Sequence, residues 1–286
     1  MDLLEKQLFL LDMDGTIYLD DQLFDGTLDF LQDVRNHGGR YLFLTNNSSR
    51  GVDAYLEKMA RLGIAAQEED FLTSVDATLL YLQQNHPGQL CYVSGTGTFK
   101  DQLRRGGIRV TDQLTDGIEV LVHGFDRELT FQKMEDSCIL LGRGVAFVAT
   151  NPDWVCPTWY GSVPDCGSVC EMLFRATGRR PRFIGKPQPE MALLAMKRCG
   201  MEKRQTVLLG DRLYTDIACG VHAGIDTVFV LSGEGTLADL QTSEVQPTMV
   251  CKDIRTFLGD IQAQRRARSV SPDQKTTQIP GGSPLL

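Results

Sequence analysis

The stretch Gln7–Thr16 reads QLFLLDMDGT, in which an apolar run is followed directly by two carboxylates. The apolar run has the length and composition of a buried β-strand. Residues i and i+2 of a strand point the same way, so we expect the side chains of Asp12 and Asp14 on one side of the chain. Two like charges that close repel each other unless a cation lies between them. The stretch therefore predicts a divalent metal site at the end of a strand.

The first third of the chain alternates strand-like and helix-like segments. Strand-like runs lie at 7–14, at 40–48 and at the start of 71–84, and helical patterns at 27–39 and 51–64 separate them. Each helical pattern ends at or next to Gly, which is a common stop signal. This rhythm predicts βαβ units, and therefore an α/β fold with a parallel sheet.

The bulk composition bounds the class of protein. The chain has 286 residues, of which 42% are hydrophobic and 23% charged, and this is typical of one large or two smaller globular domains. The net charge of -8 argues against general nucleic-acid binding. The eight Cys form no C-x-x-C pair, and no apolar run has the length of a signal peptide or a membrane span. We therefore expect a cytoplasmic protein with no membrane or nucleic-acid partner.

Three further polar motifs directly follow strand-like runs. They are Thr45-Asn46-Asn47-Ser48, Gly185-Lys186-Pro187, and Gly210-Asp211-Arg212 with Asp216 one helical turn later. In open parallel sheets, ligands bind at the carboxyl ends of the strands, near the point where the strand order reverses. We therefore expect these motifs to converge with Asp12 and Asp14 on one point.

The carboxylates in these motifs suit phosphoryl transfer. A carboxylate nucleophile splits hydrolysis into two easier steps through an aspartyl-phosphate, and Asp12 is the natural nucleophile because it directly follows the strand. Asp14 is placed to act as general acid toward the leaving oxygen and then as base toward water. Asp211, Asp12 and a backbone carbonyl near Asp14 offer the hard oxygen ligands that Mg²⁺ prefers.

The negatively charged phosphate needs a cation and hydrogen-bond donors as partners. Lys186 is expected to neutralise phosphate charge and to hold the nucleophile. The Thr45 hydroxyl and the Asn46 amide are expected to donate to phosphate oxygens where charge develops. Because the chain as a whole is acidic, it must handle an anion through such a local site.

These motifs resemble the four sequence motifs of the haloacid dehalogenase superfamily. The matching residues are Asp12-x-Asp14-Gly-Thr, Thr45, Lys186 and Gly210-Asp211-x-x-x-x-Asp216. The segments TNNSSR, ATNPD and GRRPRFIGKPQPEM, together with GDRLYTDIACGVHAGIDTVFVLSG, resemble the NagD-type, 4-nitrophenyl-phosphatase-like branch of that superfamily. The resemblance covers roughly 8–258 of the chain.

The resemblance implies a domain division. Members of the family have a Rossmann-like core and a cap domain inserted between the second and third motifs, here of the C2 type. We therefore predict a hydrolase core at 1–78 and 181–262, an inserted α/β cap at 79–180, and a disordered tail at 263–286. The tail is polar and rich in Pro and Gly, which also indicates disorder.

The resemblance also implies a role for each matching residue. Asp12 would be nucleophile and Mg²⁺ ligand, Asp14 would be acid/base and a metal ligand through its backbone carbonyl, and Asp211 would be a metal ligand. Phosphate or substrate would be bound by Thr45, Asn46, Asn47 and Lys186. Asp216 would support the metal shell. The implied enzyme is a Mg²⁺-dependent phosphatase of sugar phosphates, nucleoside monophosphates or aryl phosphates, with a homodimer through the cap by analogy.

Other classes of function stay open on the sequence. A phosphomutase would keep the fold and move phosphate between positions of a sugar, while a dehalogenase is disfavoured by Asp14 because that chemistry protonates no alcohol. A receiver-type binding module also surrounds Mg²⁺ with acidic residues and a Lys. Such modules are shorter, and they lack the inserted cap and the acid two residues after the phosphorylated Asp.

The late part of the predicted cap contains an aromatic segment before a helix start. Its aromatic residues are Trp154, Trp159 and Tyr160. The resemblance implies that this region faces the active site and selects substrate, and packing within the cap is an equally open interpretation. Cys166 and Cys170 lie four residues apart on the helix and are interpreted as small core residues, because the sequence shows no partner for a metal or redox role. His123 is interpreted as structural.

Overall fold

A computed structural model of the chain describes residues 1–158 and 160–270. Its strands are, in chain order, β1 (Leu8–Leu11), β2 (Tyr18–Leu19), β3 (Gln22–Leu23), β4 (Arg40–Thr45), β5 (Phe71–Thr73), β6 (Leu90–Ser94), β7 (Arg109–Thr111), β8 (Ile118–His123), β9 (Ala146–Ala149), β10 (Val155–Thr158), β11 (Gly161–Pro164), β12 (Arg182–Phe183), β13 (Thr206–Gly210), β14 (Asp226–Val230) and β15 (Met249–Cys251). Its α-helices are α1 (Thr27–Asn36), α2 (Val52–Arg61), α3 (Ser74–Asn85), α4 (Gly97–Arg105), α5 (Phe131–Gly142), α6 (Cys166–Thr177), α7 (Glu190–Cys199), α8 (Ala218–Ala223), α9 (Leu237–Thr242) and α10 (Ile254–Val270).

Six strands form one parallel sheet with the order β15-β14-β13-β1-β4-β5. Strand β1 lies in the middle, between β13 and β4, and all of its side chains are buried. A continuous apolar sequence is typical of a parallel strand that is covered on both faces. The chain moves from β1 through β4 to β5 and later returns to β13 on the other side, so the strand order reverses at β1. The predicted α/β fold with a parallel sheet is confirmed.

An aromatic cluster holds two helices against one face of this sheet. The Phe9 ring of β1 lies 5.5 Å from the Phe30 ring of α1 and 6.4 Å from the Phe257 ring of α10. The rings of Phe30 and Phe257 are 5.8 Å apart. Because truncating a buried phenyl group typically costs about 3–5 kcal/mol, contacts of this kind fix the frame that carries the end of β1.

A second parallel sheet is inserted in the chain between β5 and β13. Its five strands have the order β12-β9-β8-β6-β7. Buried residues of α5 and α6 pack with this sheet in a separate apolar cluster that includes Tyr92, Leu121, Leu140 and Leu173. The predicted inserted α/β domain is therefore present.

The borders of the inserted domain fall close to elements that connect the two sheets. The predicted border at 78/79 lies inside helix α3, which starts directly after the core strand β5. The predicted border at 180/181 lies just before β12, and β12 pairs with β9 of the inserted sheet. Sheet pairing thus groups Arg182 and Phe183 with the inserted domain, while the division at these two borders stays a prediction.

The predicted disordered tail is wrong for its first eight residues, because α10 continues to Val270. Ile261 is buried, and Arg265 Nη1 lies 2.7 Å from Asp33 Oδ2 of α1, so the helix is anchored by packing and by an ion pair. The sequence shows this segment only as polar and basic, and its partner Asp33 is distant in the chain. The rest of the predicted tail, 271–286, lies outside the described residues. No helix in the described part of the chain, α10 included, is long and apolar enough to cross a bilayer.

Candidate active site

The chain turns sharply after Asp12, and this turn separates the two carboxylates of the opening motif. The backbone N–H of Asp12 still donates to Leu209 O at 2.9 Å, in register with β13. Met13 O then accepts from the N–H of Ile17 at 3.0 Å. Gly15 has a φ of +88°, and a Cβ at this position would lie 2.4 Å from Asp211 Oδ2. The turn therefore requires glycine for its backbone conformation and for the close approach of Asp211.

Three carboxylates and one ammonium group meet at the carboxyl end of the core sheet. Oxygens of Asp12, Asp211 and Asp216 all lie within 4.8 Å of one another. Lys186 Nζ lies 2.5 Å from Asp12 Oδ1 and 2.6 Å from Asp216 Oδ1. The structure thus brings together four of the residues that the sequence predicts to converge.

Asp211 differs from its neighbours because, in the described part of the chain, it makes no ion pair with a basic side chain. Its Oδ2 accepts from the Glu234 N–H at 2.7 Å, whereas its Oδ1 is buried without a hydrogen-bond partner in the described part of the chain. Buried polar atoms are rarely left without a partner, because desolvation is then uncompensated. With Asp12 and Asp216 beside it, this free oxygen completes a set of hard donors that fits Mg²⁺. The residues present therefore fit a divalent cation.

The pKa values of the cluster reflect its excess of negative charge. Burial raises the pKa of Asp12 well above its usual range, and the charges of Asp216 and Asp211 raise it further, while Lys186 opposes the rise. Burial and then Asp216 raise the pKa of Asp211 to about 6. Burial alone would lower the pKa of Lys186, but Asp12 and Asp216 outweigh it and raise that pKa. A bound divalent cation would relieve this repulsion.

The raised pKa of Asp211 predicts a pH dependence of stability in the metal-free protein. The folded protein binds this proton more tightly than the unfolded chain, because the pKa rises from 3.8 to about 6 on folding. Ionisation of Asp211 therefore costs stability. The free energy of unfolding of the wild type, minus that of Asp211→Asn, should fall as the pH rises from about 4 to about 6. Urea unfolding of both proteins in EDTA measures this difference. A difference that stays constant or grows with pH would contradict the raised pKa of Asp211.

Asp14 does not join the carboxylate cluster. Its side chain is 54% exposed and lines the cavity, with Oδ1 3.6 Å from Lys58 Nζ. Tyr18 donates its hydroxyl to Asp14 Oδ2 at 3.4 Å. The strand geometry used to predict that Asp12 and Asp14 share one side does not extend to Asp14, because β1 ends at Leu11, but the side chains of Asp12 and Asp14 do line the same cavity.

Thr45 and Asn47 lie where the sequence predicts them, at the end of β4 and on the cavity wall. Thr45 Oγ1 accepts from the Asn47 N–H at 3.1 Å, and Asn47 Oδ1 accepts from the N–H and hydroxyl of Ser49 at 2.9 and 2.8 Å. These bonds fold the loop back on itself. The hydrogen of the Thr45 hydroxyl and the amide group of Asn47 are not used in them.

The side chain of Asn46 is predicted to bind phosphate, but in the structure it binds Asp153 and the backbone of Lys186. Its Nδ2 donates to Asp153 Oδ2 at 2.7 Å and to Lys186 O at 2.9 Å, and its Oδ1 accepts from the Lys186 N–H at 2.9 Å. A Cβ on the preceding Gly185 would lie 2.5 Å from Asn46 Oδ1. Both amide hydrogens are therefore used, and the side chain has none left for a phosphate. We reassign Asn46 as a residue that positions Lys186.

Lys186 reaches the site from the inserted sheet and not from a strand of the core. It follows β12, and the N–H of Gly185 donates to Thr150 O at 2.7 Å beside the end of β9. The prediction that its motif directly follows a strand is correct, and that strand pairs with the inserted sheet. Its convergence with Asp12 is correct, because Asn46 of the core binds the Lys186 backbone.

Asp153 and Arg212 are parts of the site that sequence reasoning missed. Asp153 accepts from Asn46 and from Asn151, both at 2.7 Å, and Arg212 Nη1 lies 3.7 Å from Asp153 Oδ1. Burial raises the pKa of Asp153, and these donors oppose the rise. Asp153 thus links the inserted domain to two loops of the core. Both residues lie in motifs used for the family resemblance, ATNPD and GDR, but neither was given a role.

A second cluster of metal-ligand types lies in the core of the inserted domain. Donor atoms of His123, Cys166 and Cys170 lie within 4.8 Å of one another, so the cysteines do have a nearby imidazole. His123 Nδ1 lies 3.0 Å from Gly124 O, and Nε2 lies 3.2 Å from Ser94 Oγ. Both ring nitrogens of His123 therefore have partners within the protein, and the packing role of the two cysteines stays a prediction.

A cavity of about 650 Å³ connects the carboxylate cluster to the inserted domain. Its core side includes Asp12, Thr45 and Lys186, and its other side includes the β10–β11 hairpin. The sequence did not predict this hairpin. Tyr160 lines the cavity, whereas Trp154 lines a separate, smaller one and Trp159 lies outside the described residues. The volume suits a small metabolite.

A parallel core with acidic strand ends, closed by an inserted α/β domain, defines a class of phosphoryl-transfer hydrolases. The family model described as haloacid dehalogenase-like hydrolase matches residues 9–109, and a second model, described as HAD-hydrolase-like, matches 183–257. The acid sugar phosphatase of Staphylococcus epidermidis is 31% identical over 256 residues, which is 90% of this chain and 98% of that protein. The chain therefore belongs to the haloacid dehalogenase-like hydrolase family, and it is a phosphoric monoester hydrolase.

Solved structures agree with the predicted branch. A 4-nitrophenylphosphatase from Thermotoga maritima superposes with a TM-score of 0.86 at 35% identity, covering 92% of this chain and all of that one. A glycerol phosphate phosphatase from Mycobacterium tuberculosis, in complex with magnesium, superposes with a TM-score of 0.83 at 30% identity, covering 88% of this chain and 76% of that one. The predicted resemblance to NagD-type, 4-nitrophenyl-phosphatase-like enzymes is confirmed.

Proposed function

We propose that the protein is a Mg²⁺-dependent phosphatase of small phosphomonoesters that acts through an aspartyl-phosphate on Asp12. The observation that carries this proposal is the cluster of Asp12, Asp211 and Asp216, in which Asp211 Oδ1 is buried without a hydrogen-bond partner in the described chain. Lys186 lies beside this cluster. The magnesium-bound glycerol phosphate phosphatase and the acid sugar phosphatase among the similar proteins support it.

Asp12 has the properties of a nucleophile. Its Oδ1 is held by Lys186, while its Oδ2 accepts no hydrogen bond within the described chain and its side chain keeps 16% exposure toward the cavity. Lys186 favours the ionised carboxylate, which is the reactive form. Attack by Oδ2 on phosphorus would form the acyl phosphate and release the alcohol, and water would later cleave it.

Asp14 is the proposed proton carrier. Its side chain is outside the carboxylate cluster and open to the cavity, where a leaving oxygen would lie. It would protonate that oxygen in the first step and take a proton from water in the second. Its partners Lys58 and Tyr18 hold it in place.

The metal and phosphate contacts complete the proposal. Asp12 and Asp211 would hold Mg²⁺, together with the backbone carbonyl of Asp14, and Asp216 would support them while pairing with Lys186. The bound ion supplies charge neutralisation for the phosphate. Thr45 and Asn47 would donate to phosphate oxygens, with Lys186 as the cation.

Removal of the metal should abolish turnover. We expect EDTA to eliminate hydrolysis of 4-nitrophenyl phosphate and excess MgCl₂ to restore it. Independently of activity, MgCl₂ should raise the unfolding temperature of the wild type, because it binds only the folded state. Asp211→Asn should lose this stabilisation. Full activity in EDTA, or an equal thermal shift in Asp211→Asn, would contradict the proposed metal site.

Two further parts of the proposal concern the oligomeric state and the cellular location of the enzyme. The sequence predicts a homodimer through the inserted domain and a cytoplasmic location, and both stay predictions. Sedimentation velocity of the purified protein tests the first, since a dimer sediments faster than a monomer of 31.8 kDa.

A further inference from the structure

The cavity wall beyond the carboxylate cluster is lined by several basic residues. They are Arg50, Lys58, Arg61 and Arg127. In residues 1–158 and 160–270, the guanidinium groups of Arg50 and Arg127 make no ion pair and donate no side-chain hydrogen bond. Both side chains are exposed. Two unpaired cations at the wall of a phosphatase cavity are available to a ligand.

The other two basic residues are already occupied. Lys58 Nζ lies 3.6 Å from Asp14 Oδ1, and Arg61 Nη2 lies 4.0 Å from Asp21 Oδ1. A cation with a carboxylate partner offers less to an anion, since binding would have to replace that partner. The wall therefore separates into paired and unpaired cations.

Arg50 and Arg127 converge although they come from different domains. Arg50 follows β4 of the core, and Arg127 follows β8 of the inserted domain. Burial and the charges of Asp165 and Asp14 raise the pKa of the Cys156 thiol to about 11, and both arginines oppose this rise. Both side chains line the same cavity, and Cys156 of strand β10 lines it too.

We propose that Arg50 and Arg127 bind a second anionic group of the substrate. The preferred substrate is then a small phosphomonoester whose alcohol part carries a carboxylate or a further phosphate. Its reacting phosphate lies at Asp12 and Lys186, and its second anion lies at the β10 wall of the same cavity. This inference rests on the proposed function and names the substrate class for that site.

The nearby carboxylate of Asp14 already has partners of its own in Lys58 and Tyr18. Asp165 accepts hydrogen bonds from the Asn151 side chain and from the Cys166 N–H, so its Oδ1 is engaged within the inserted domain. Asp20 lies in the turn of the β2–β3 hairpin, on the core side. Guanidinium groups bind carboxylate and phosphate with two parallel hydrogen bonds, so a pair of them gives strong preference for an anion.

Matched substrates test the proposal. Glycerol 3-phosphate and 3-phosphoglycerate differ in an alcohol and a carboxylate, and glucose 6-phosphate and glucose 1,6-bisphosphate differ in one phosphate. We expect kcat/KM to be at least about tenfold higher for the member of one pair that carries a second anionic group, because hydrogen bonds to charged groups are strong. The pair that shows the preference identifies the second group as carboxylate or phosphate.

Variants assign the preference to the two arginines. The preference is measured as the ratio of the two kcat/KM values within the discriminating substrate pair. Arg50→Gln and Arg127→Gln should each reduce this ratio about tenfold, mainly through KM, while kcat/KM for 4-nitrophenyl phosphate changes little. Arg61→Gln is the matched control, since it removes a cavity-lining charge that is already paired, and its ratio should stay within about twofold of the wild type.

Several results would overturn the inference. The first is an equal kcat/KM for the two substrates within both pairs. The second is an unchanged ratio in both Arg50→Gln and Arg127→Gln. The third is an equal loss of the ratio in Arg61→Gln, which would indicate a general electrostatic effect of the positive charges on the cavity wall. Hydrolysis of 4-nitrophenyl phosphate without any preference would remove this inference alone. Failure to hydrolyse any of the five compounds would instead remove the proposed function.

Discussion

Asp12→Asn is expected to reduce kcat for 4-nitrophenyl phosphate by about 10⁴-fold or more, because the amide cannot attack phosphorus. The substitution keeps the shape of the side chain and removes the nucleophilic oxygen charge. The wild type, quenched in acid during turnover, should carry a phosphoryl group on the peptide that contains Asp12. The variant should carry none.

The same substitution should not destabilise the metal-free fold. Asp12 repels Asp216 and Asp211, and its pKa is raised by burial and by these neighbours. A neutral amide removes that repulsion, so thermal unfolding in EDTA should occur at an equal or higher temperature than in the wild type. Asp21→Asn is the control, because it removes a carboxylate from the cavity rim and should keep most of the activity. Appreciable turnover by Asp12→Asn with normal phosphorylation would contradict the proposed mechanism.

Lys186→Met is expected to impair both activity and stability. The Lys186 side chain is 3% exposed, and its ammonium group is shared between Asp12 and Asp216. Its loss leaves two buried carboxylates without a cation, and breaking a buried pair typically costs about 3–5 kcal/mol. Activity should fall by about 10³-fold, because the charge that stabilises the phosphate is lost. Urea unfolding and steady-state kinetics measure the two effects.

Two companion variants separate the local effect from a general one. Lys6 is also buried and pairs with Asp226 at 2.5 Å, at the opposite end of the core sheet. Lys6→Met should therefore lose stability while kcat stays near that of the wild type. Adding Asp12→Asn to Lys186→Met should recover part of the lost stability, since one uncompensated charge is removed. If Lys6→Met lost as much kcat as Lys186→Met, the role of Lys186 at the phosphate would be refuted.

The sequence predicts the frame of the molecule well because that frame is built from local patterns. An apolar run before Asp12, helical spacing around Phe30 and Gly at helix ends are signals within a few residues of one another, and each gives an element where expected. The order of those elements then restricts the topology to parallel βαβ units. The convergence of Asp12 and Asp211 follows from that topology, because β1 and β13 are neighbours, whereas Lys186 reaches the site from the inserted sheet.

The roles that depend on distant partners were not readable from the sequence. Asn46 has the residue type of a phosphate ligand, but Asp153 and the Lys186 backbone occupy its side chain. The segment around Arg265 has the composition of a disordered tail, but Asp33 of α1 pairs with it and extends the helix. In both cases the partner is remote in sequence, and its position is fixed only by the packed fold.

The sequence by itself determined the fold class, the family and the set of acidic and basic groups at the strand ends. The tertiary structure decided which atoms of those groups are paired. Within the described residues, it left Asp14 outside the carboxylate cluster, Asp211 Oδ1 without a hydrogen-bond partner, and Arg50 and Arg127 without an ion pair on the cavity wall. The physical reason is that residue type and spacing set the possible interactions, whereas distance, burial and competition among neighbours select which of them form.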